Sequence, residues 1–187
     1  MSFASGPKVR GALINEDTGE AQGFMFNPRQ LVASIQVNWD KAPGIGASFE
    51  RLGYRNTSNP EFNLTLLHNL TAWIARTRKP GETINATSAA EIRTEFERHR
   101  NFLIALCYPR GRWNDVLRRS PPTALLMWPG YLAIRVVINS LQLTDKDFNE
   151  KSKPIVFEAA CVFQEHRIYR LTSADAYRKG FMRAEQG

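Results

Sequence analysis

Histidine, cysteine and carboxylate are the side chains here that could bind a metal or move a proton. His68, His99 and His166 lie far apart in the chain. His68 sits on the apolar parity of an alternating segment, and His99 in the charged middle of a helical pattern. Neither has a partner at ligand spacing, so a packed or solvated histidine is expected at each. Cys107 and Cys161 form no Cys-x-x-Cys pair. Cys161 falls on an apolar strand face and reads as a small buried hydrophobe. Glu16, Asp17 and Glu20 crowd a turn and read as solvated. Asp145 and Asp147 flank Lys146, but a calcium loop needs more ligands and a glycine. Gly44-Ile-Gly46 lacks the Lys-Ser/Thr and the following helix of a phosphate loop, and no Gly-x-Ser-x-Gly elbow occurs. No catalytic residue, cofactor-binding residue, metal ligand or cofactor is assigned. Triads assemble from distant residues, so motifs alone do not exclude an enzyme. No candidate nucleophile and base stand out, and an enzyme is not expected.

The clearest pattern belongs to a structural element. Leu31, Ala33, Ile35, Val37 and Trp39 share one parity, and Val32, Ser34, Gln36 and Asn38 the other. That predicts a strand over 31–39 with one buried face and Trp39 as a core anchor. Asn27-Pro28 stops the Phe24–Phe26 strand before it, because proline cannot donate to a ladder. Short strands are predicted at Lys8–Ile14 and Arg51–Tyr54. Longer ones are predicted at Phe62–Leu70, Thr123–Met127, Leu132–Leu143 and Ile155–Phe163. A parity shift near Asn139-Ser140 predicts a bulge. Asp40–Phe49, Arg76–Ala86 and Asp145–Lys153 read as connections. Ile92, Phe96, Leu103 and Leu106 recur at helical spacing, which predicts a helix over 89–106 with Ser88 and Glu91 at capping-box spacing. Pro109 ends it. Trp128-Pro129-Gly130 reads as a turn. The order of elements predicts an α+β fold, mainly an antiparallel sheet or barrel, with one principal helix in an insertion.

At 187 residues, 43% hydrophobic and 23% charged, the chain suits one domain with an ordinary core. Met1–Pro7 is too short and polar for a signal peptide, so a reduced cytoplasmic setting is expected. The sequons at Asn56, Asn63, Asn69 and Asn85 read as chance. No apolar run approaches the roughly 20 residues of a membrane span, and no membrane partner is expected. The net charge of +7 invites an anionic partner. Its basic residues are scattered without aromatic interleaving, so a solvated or interface-forming surface is the simpler reading.

From Phe26-Asn27-Pro28 onward the chain resembles the tube-type proteins of contractile injection systems and contractile phage tails. Asn38-Trp39 closes the strand and Pro43-Gly44 follows. Trp128-Pro129-Gly130 opens the final strand pair, with Pro129 inserted into a Trp-Gly-like step. Phe157–Glu165 is similar to the family's last strand. The resemblance covers roughly residues 8–170.

It implies a tail-tube-type β domain over 1–170 with a helical insertion at about 71–122, then a short basic tail over 171–187. That tail is too short for the LysM domain of some relatives. The implied role is a tube-initiating or hub-adaptor ring at the baseplate, joining spike hub to inner tail tube. The implied partners are further copies in a hexameric ring, the tail tube, and the spike hub or baseplate. DNA enters only as cargo passing through the channel. The implied location is the tail of a contractile particle assembled in the bacterial host cytoplasm. Phe26, Asn27, Pro28, Trp39, Trp128 and Gly130 are expected to carry structure and assembly, with both tryptophans anchoring barrel ends. Arg112, Arg118, Arg119, Arg167 and Arg170 are expected to face partners. The repeating inner tube protein is an alternative. A basic β-barrel that binds nucleic acid is another, from a different class. Long unpaired edges risk aggregation, and ring closure would remove that risk.

Overall fold

Apolar residues at every second position extend the backbone into strands, and stretches of helical spacing wind it. The structure, a computed structural model, describes residues 10–42, 46, 49–77, 86–111, 120–167 and 172–179. In chain order its elements are β1 (Ala12–Asn15), β2 (Ala21–Gly23), β3 (Val32–Ser34), β4 (Val37–Ala42), β5 (Arg51–Thr57) and β6 (Glu61–Asn69). Then follow α1 (Leu70–Thr77), α2 (Ala86–Ala105), β7 (Ala124–Trp128), β8 (Leu132–Phe148), β9 (Pro154–Glu165) and α3 (Ser173–Lys179).

Seven strands form one sheet in the order β2-β1-β7-β8-β9-β6-β3, with every neighbouring pair antiparallel. β4 and β5 pair only with each other among the described residues. The fold is therefore α+β and mainly antiparallel. The barrel alternative is corrected: the described sheet is open, with β2 and β3 as its edges.

One face of this sheet is the core. Phe62, Leu64, Leu66 and His68 of β6 are buried beside Phe157, Ala159, Cys161 and Phe163 of β9. α2 brings Phe96, Phe102 and Leu103 onto that face, and Leu106 follows just past its end. Each such side chain contributes about 1.5–3 kcal/mol by leaving water. The predicted helix thus covers its own sheet. α2 begins two residues ahead of Ser88. Cys107 N–H and Tyr108 N–H bond back to the carbonyls of Ile104 and Ala105, a tightened last turn before Pro109.

The bulge stands where the parity predicts it, with a register shift between Ile138 and Ser140. β8 runs on to Phe148, past the predicted start of a connection at Asp145, because its backbone keeps pairing with β9. α1 was not legible as a helix. The Asn69 carboxamide accepts from Ala72 N–H at 3.0 Å and caps its first turn. Phe24 and Met25 are buried yet lie beyond β2, so the predicted Phe24–Phe26 strand is corrected. Phe24 N–H bonds to the Gly11 carbonyl, and a Cβ on Gly11 would lie 2.4 Å from the Phe24 ring, so only glycine fits there.

The predicted Leu31–Trp39 strand is also corrected: it splits into β3 and β4. β3 pairs with β6 as far as Ser34 opposite Glu61. Pro60 comes next on the β6 side and has no N–H to continue the ladder. The chain then leaves the sheet and forms the β4–β5 hairpin, with Ser58 N–H bonded to the Gln36 carbonyl at its base.

Candidate functional site

Registration makes the hairpin two-faced. Trp39 lies opposite Tyr54 and Lys41 opposite Leu52, with a register shift after Asn38. Val37, Trp39, Leu52 and Tyr54 therefore crowd one face, and their alternate neighbours Asn38, Asp40, Arg51 and Asn56 form the other. On the polar face the Asn38 amide donates to the Asn56 side-chain oxygen at 2.9 Å. On the apolar face Trp39 meets Tyr54 edge-on, at 5.7 Å between ring centres.

That face is bare. Trp39 is 52% exposed, Leu52 59% and Tyr54 61%. The expectation that Trp39 anchors the core is corrected: its parity is right, but its strand has left the sheet. A two-stranded hairpin is marginal alone in water. Trp39→Ala is consequently expected to cost under about 1 kcal/mol, as exposed substitutions do.

Beside the hairpin lies a groove of about 860 Å³. Phe26 and Pro28 wall it together with Val32, Leu67, Ala160 and Val162. By strand parity Leu67, Ala160 and Val162 belong to the sheet face opposite the α2-covered core. Asn27 fixes the groove wall: its side-chain oxygen accepts from Gly11 N–H at 3.3 Å. Glu158 and Arg29 supply charge. Phe26-Asn27-Pro28 thus shapes a surface more than it ends a strand.

Trp128 closes β7 against Leu132, packs edge-on to Phe24 and Tyr131, and lies at the β7–β8 turn. Gly130 takes φ 78° there, with Tyr131 N–H bonded to the Trp128 carbonyl at 2.9 Å. Proline then glycine with that positive φ is the preferred central pair of a type II turn.

Several of the described arginines pair with carboxylates of their own chain. Arg98 binds Glu20 at 2.8 Å, Arg100 Asp145 at 3.0 Å, Arg110 Asp17 at 2.6 Å and Arg135 Glu16 at 2.8 Å. The carboxylates expected to be solvated thus pin α2, its exit and β8 to the β1–β2 turn. Arg93 binds Glu97 and donates to the Pro154 carbonyl at 2.6 Å. Arg167 pairs within its own chain: its guanidinium makes three hydrogen bonds to Glu165, with the two side chains 10% and 8% exposed. Glu165→Ala should cost about 2 kcal/mol in denaturant unfolding, because a charged hydrogen-bonded partner is lost with little water to replace it. Arg112, Arg118, Arg119 and Arg170 lie outside the described residues, as do Pro43 and Gly44.

Two histidines far apart in sequence meet under α2. His68 stacks on Phe157 at 4.4 Å, and its ring centre lies 5.4 Å from that of His99. His99 lies edge-on to Trp73 of α1. Gln22 and His68 share a 3.4 Å hydrogen bond, while the Nδ1 atoms of both histidines and Gln22 Oε1 are buried without a protein partner. Burial first, then the neighbouring His99, lowers the His68 pKa to about 3. Burial lowers that of His99 too, against the pull of Glu95. Burial raises Cys161 to about 12, so its thiol stays protonated. Among the described residues no three His, Cys, Asp or Glu side chains gather to hold a metal, and no helix is long and apolar enough to cross a membrane.

No protein-family profile matches the chain, and neither does any curated protein. Solved structures do. A chain from the virion of a native gene transfer agent particle is 10% identical, with 88% of this chain and 100% of that one covered, at a TM-score of 0.35. A chain from the six-fold-symmetrised baseplate of the anti-feeding prophage is 9% identical, with 89% and 94% covered, at 0.33. Neither score is high enough to equate the folds. The fold itself defines an α+β protein with a seven-stranded antiparallel sheet, one helix-covered face and a detached amphipathic hairpin.

Proposed function

We propose that this chain is a structural subunit of a contractile tail or injection particle: a tube-initiating or hub-adaptor ring, built from six copies, at the baseplate. One observation carries the assembly part of the reading. The β4–β5 hairpin presents Val37, Trp39, Leu52 and Tyr54 to solvent on a two-stranded element that cannot bury them alone. Such a face makes sense when another chain covers it. The particular assembly comes from the motif order, Phe26-Asn27-Pro28, Asn38-Trp39, Trp128 and the last strand, which resembles the tube-type family. The inner tail tube and the spike hub are the proposed neighbours, and DNA passes only as cargo. The open edges of β2 and β3 suit a sheet continued from subunit to subunit.

Sedimentation of the purified chain tests this. The expected species has six times the 21.3 kDa mass of one copy. Trp39→Asp with Tyr54→Asp should abolish that species and change unfolding by less than about 1 kcal/mol. A monomer whose retention on DNA falls steeply with salt would instead support the nucleic-acid-binding alternative.

A further inference from the structure

The hairpin face needs an occupant, and the same chain carries a matching surface. We infer that the Val37–Trp39–Leu52–Tyr54 face of one copy docks into the Phe26–Pro28 groove of a second copy. This rests on the assembly reading above and names its contact.

Within one copy both surfaces are open at once. The groove wall residue Val32 belongs to β3, and only Ile35 and Gln36 separate β3 from β4. That short link and the Ser58–Gln36 bond hold the hairpin base beside the groove, while Trp39 and Tyr54 remain half or more exposed. The four apolar side chains expose on the order of 500 Å², most of the roughly 800 Å² that each partner gives to a standard interface.

A volume of about 860 Å³ accepts several such side chains. Charge agrees. Lys41 stands on the apolar face between Trp39 and Leu52 by parity, held only loosely at 3.8 Å from Glu50. The Glu158 carboxylate in the groove is 36% exposed and already holds Lys146 at 2.7 Å, so Lys41 joins it as a second cation. Hairpin into groove is a head-to-tail contact between different patches, so it repeats from copy to copy and can close into a ring.

A benzophenone amino acid in place of Tyr54, in the full chain at millimolar concentration, tests the contact. Mixing isotope-labelled and unlabelled copies separates links between copies from links within one. The expected result is cross-linking between copies, to peptides that contain Phe26–Val32, Leu67 or Ala160–Val162. Leu67→Arg should cut that yield at least tenfold while thermal unfolding stays unchanged. The probe at Leu52 should report the same peptides.

Links between copies that map elsewhere would overturn the groove and leave the assembly reading standing. Links only within one copy would overturn the groove as well. No link between copies from either probe, with a monomeric mass, would overturn both.

Discussion

Lowering the pH from 7 to 4 is expected to remove about 3 kcal/mol of stability through His68 alone. The ring is 1% exposed, stacked on Phe157, and burial lowers its pKa from 6.5 to about 3. In the unfolded chain the same ring takes a proton near pH 6.5. The unfolded state therefore binds more protons throughout the window between those values. Stability is fully present above pH 6.5 and is lost as the pH falls toward 3.

His99 pulls the same way, since burial lowers its pKa too. The groups around the pair limit the effect without reversing it. Glu95 sits 3.5 Å from His99 and favours its charged form, and Glu20 does so weakly, while Arg98 opposes it. Denaturant titrations at half-unit pH steps measure the slope. In His68→Phe, which keeps a flat ring against Phe157 but cannot titrate, the loss between pH 6.5 and pH 4 should shrink by about 3 kcal/mol. An unchanged slope would place the acid sensitivity in other groups.

What could be read from the residues divides by range. The faces of β6 and β9 were legible because period two needs no partner to be recognised. So was the Phe96–Leu103–Leu106 face, by its period of 3.6, and so was the bulge after Ile138. Trp39 shows the limit. Alternation marks a face that something must cover, and says nothing of whether the cover comes from the same chain. Pro60, a proline across the sheet from β3, decides that the strand breaks, and no local pattern at Leu31–Trp39 contains it. The ion pairs were beyond reach for the same reason. Arg98 and Glu20, or Arg135 and Glu16, are brought together by the packing of distant elements. His68 and His99 each looked unremarkable alone, and their contact appears only when α2 lies on β6. α1 is short, and the Asn69 cap was the one local signal that it starts there.

The largest loss is expected for Phe157→Ala, about 3–5 kcal/mol. Phe157 is 0% exposed at the centre of the sheet, opposite His68 on one side and Asp145 on the other. Its ring lies parallel to His68, at 8°, and meets Phe96 edge-on at 5.1 Å. It therefore joins β6, β9 and α2 in one packing unit. Removing it opens a cavity beneath the helix and strips the face of His68 that keeps water away. Two readouts should move together. The denaturation midpoint falls, and the acid loss described for His68 becomes smaller, because a cavity that admits water lets the imidazole protonate at lower cost. Trp39→Ala is the contrast, an aromatic of greater size whose removal should leave both readouts nearly still while it weakens assembly. If Phe157→Ala kept wild-type stability, α2 would owe its position to the Arg98–Glu20 and Arg100–Asp145 ion pairs instead of to the buried rings. Surface pairs of that kind are worth too little, at most about 1 kcal/mol each, to make that the expected outcome.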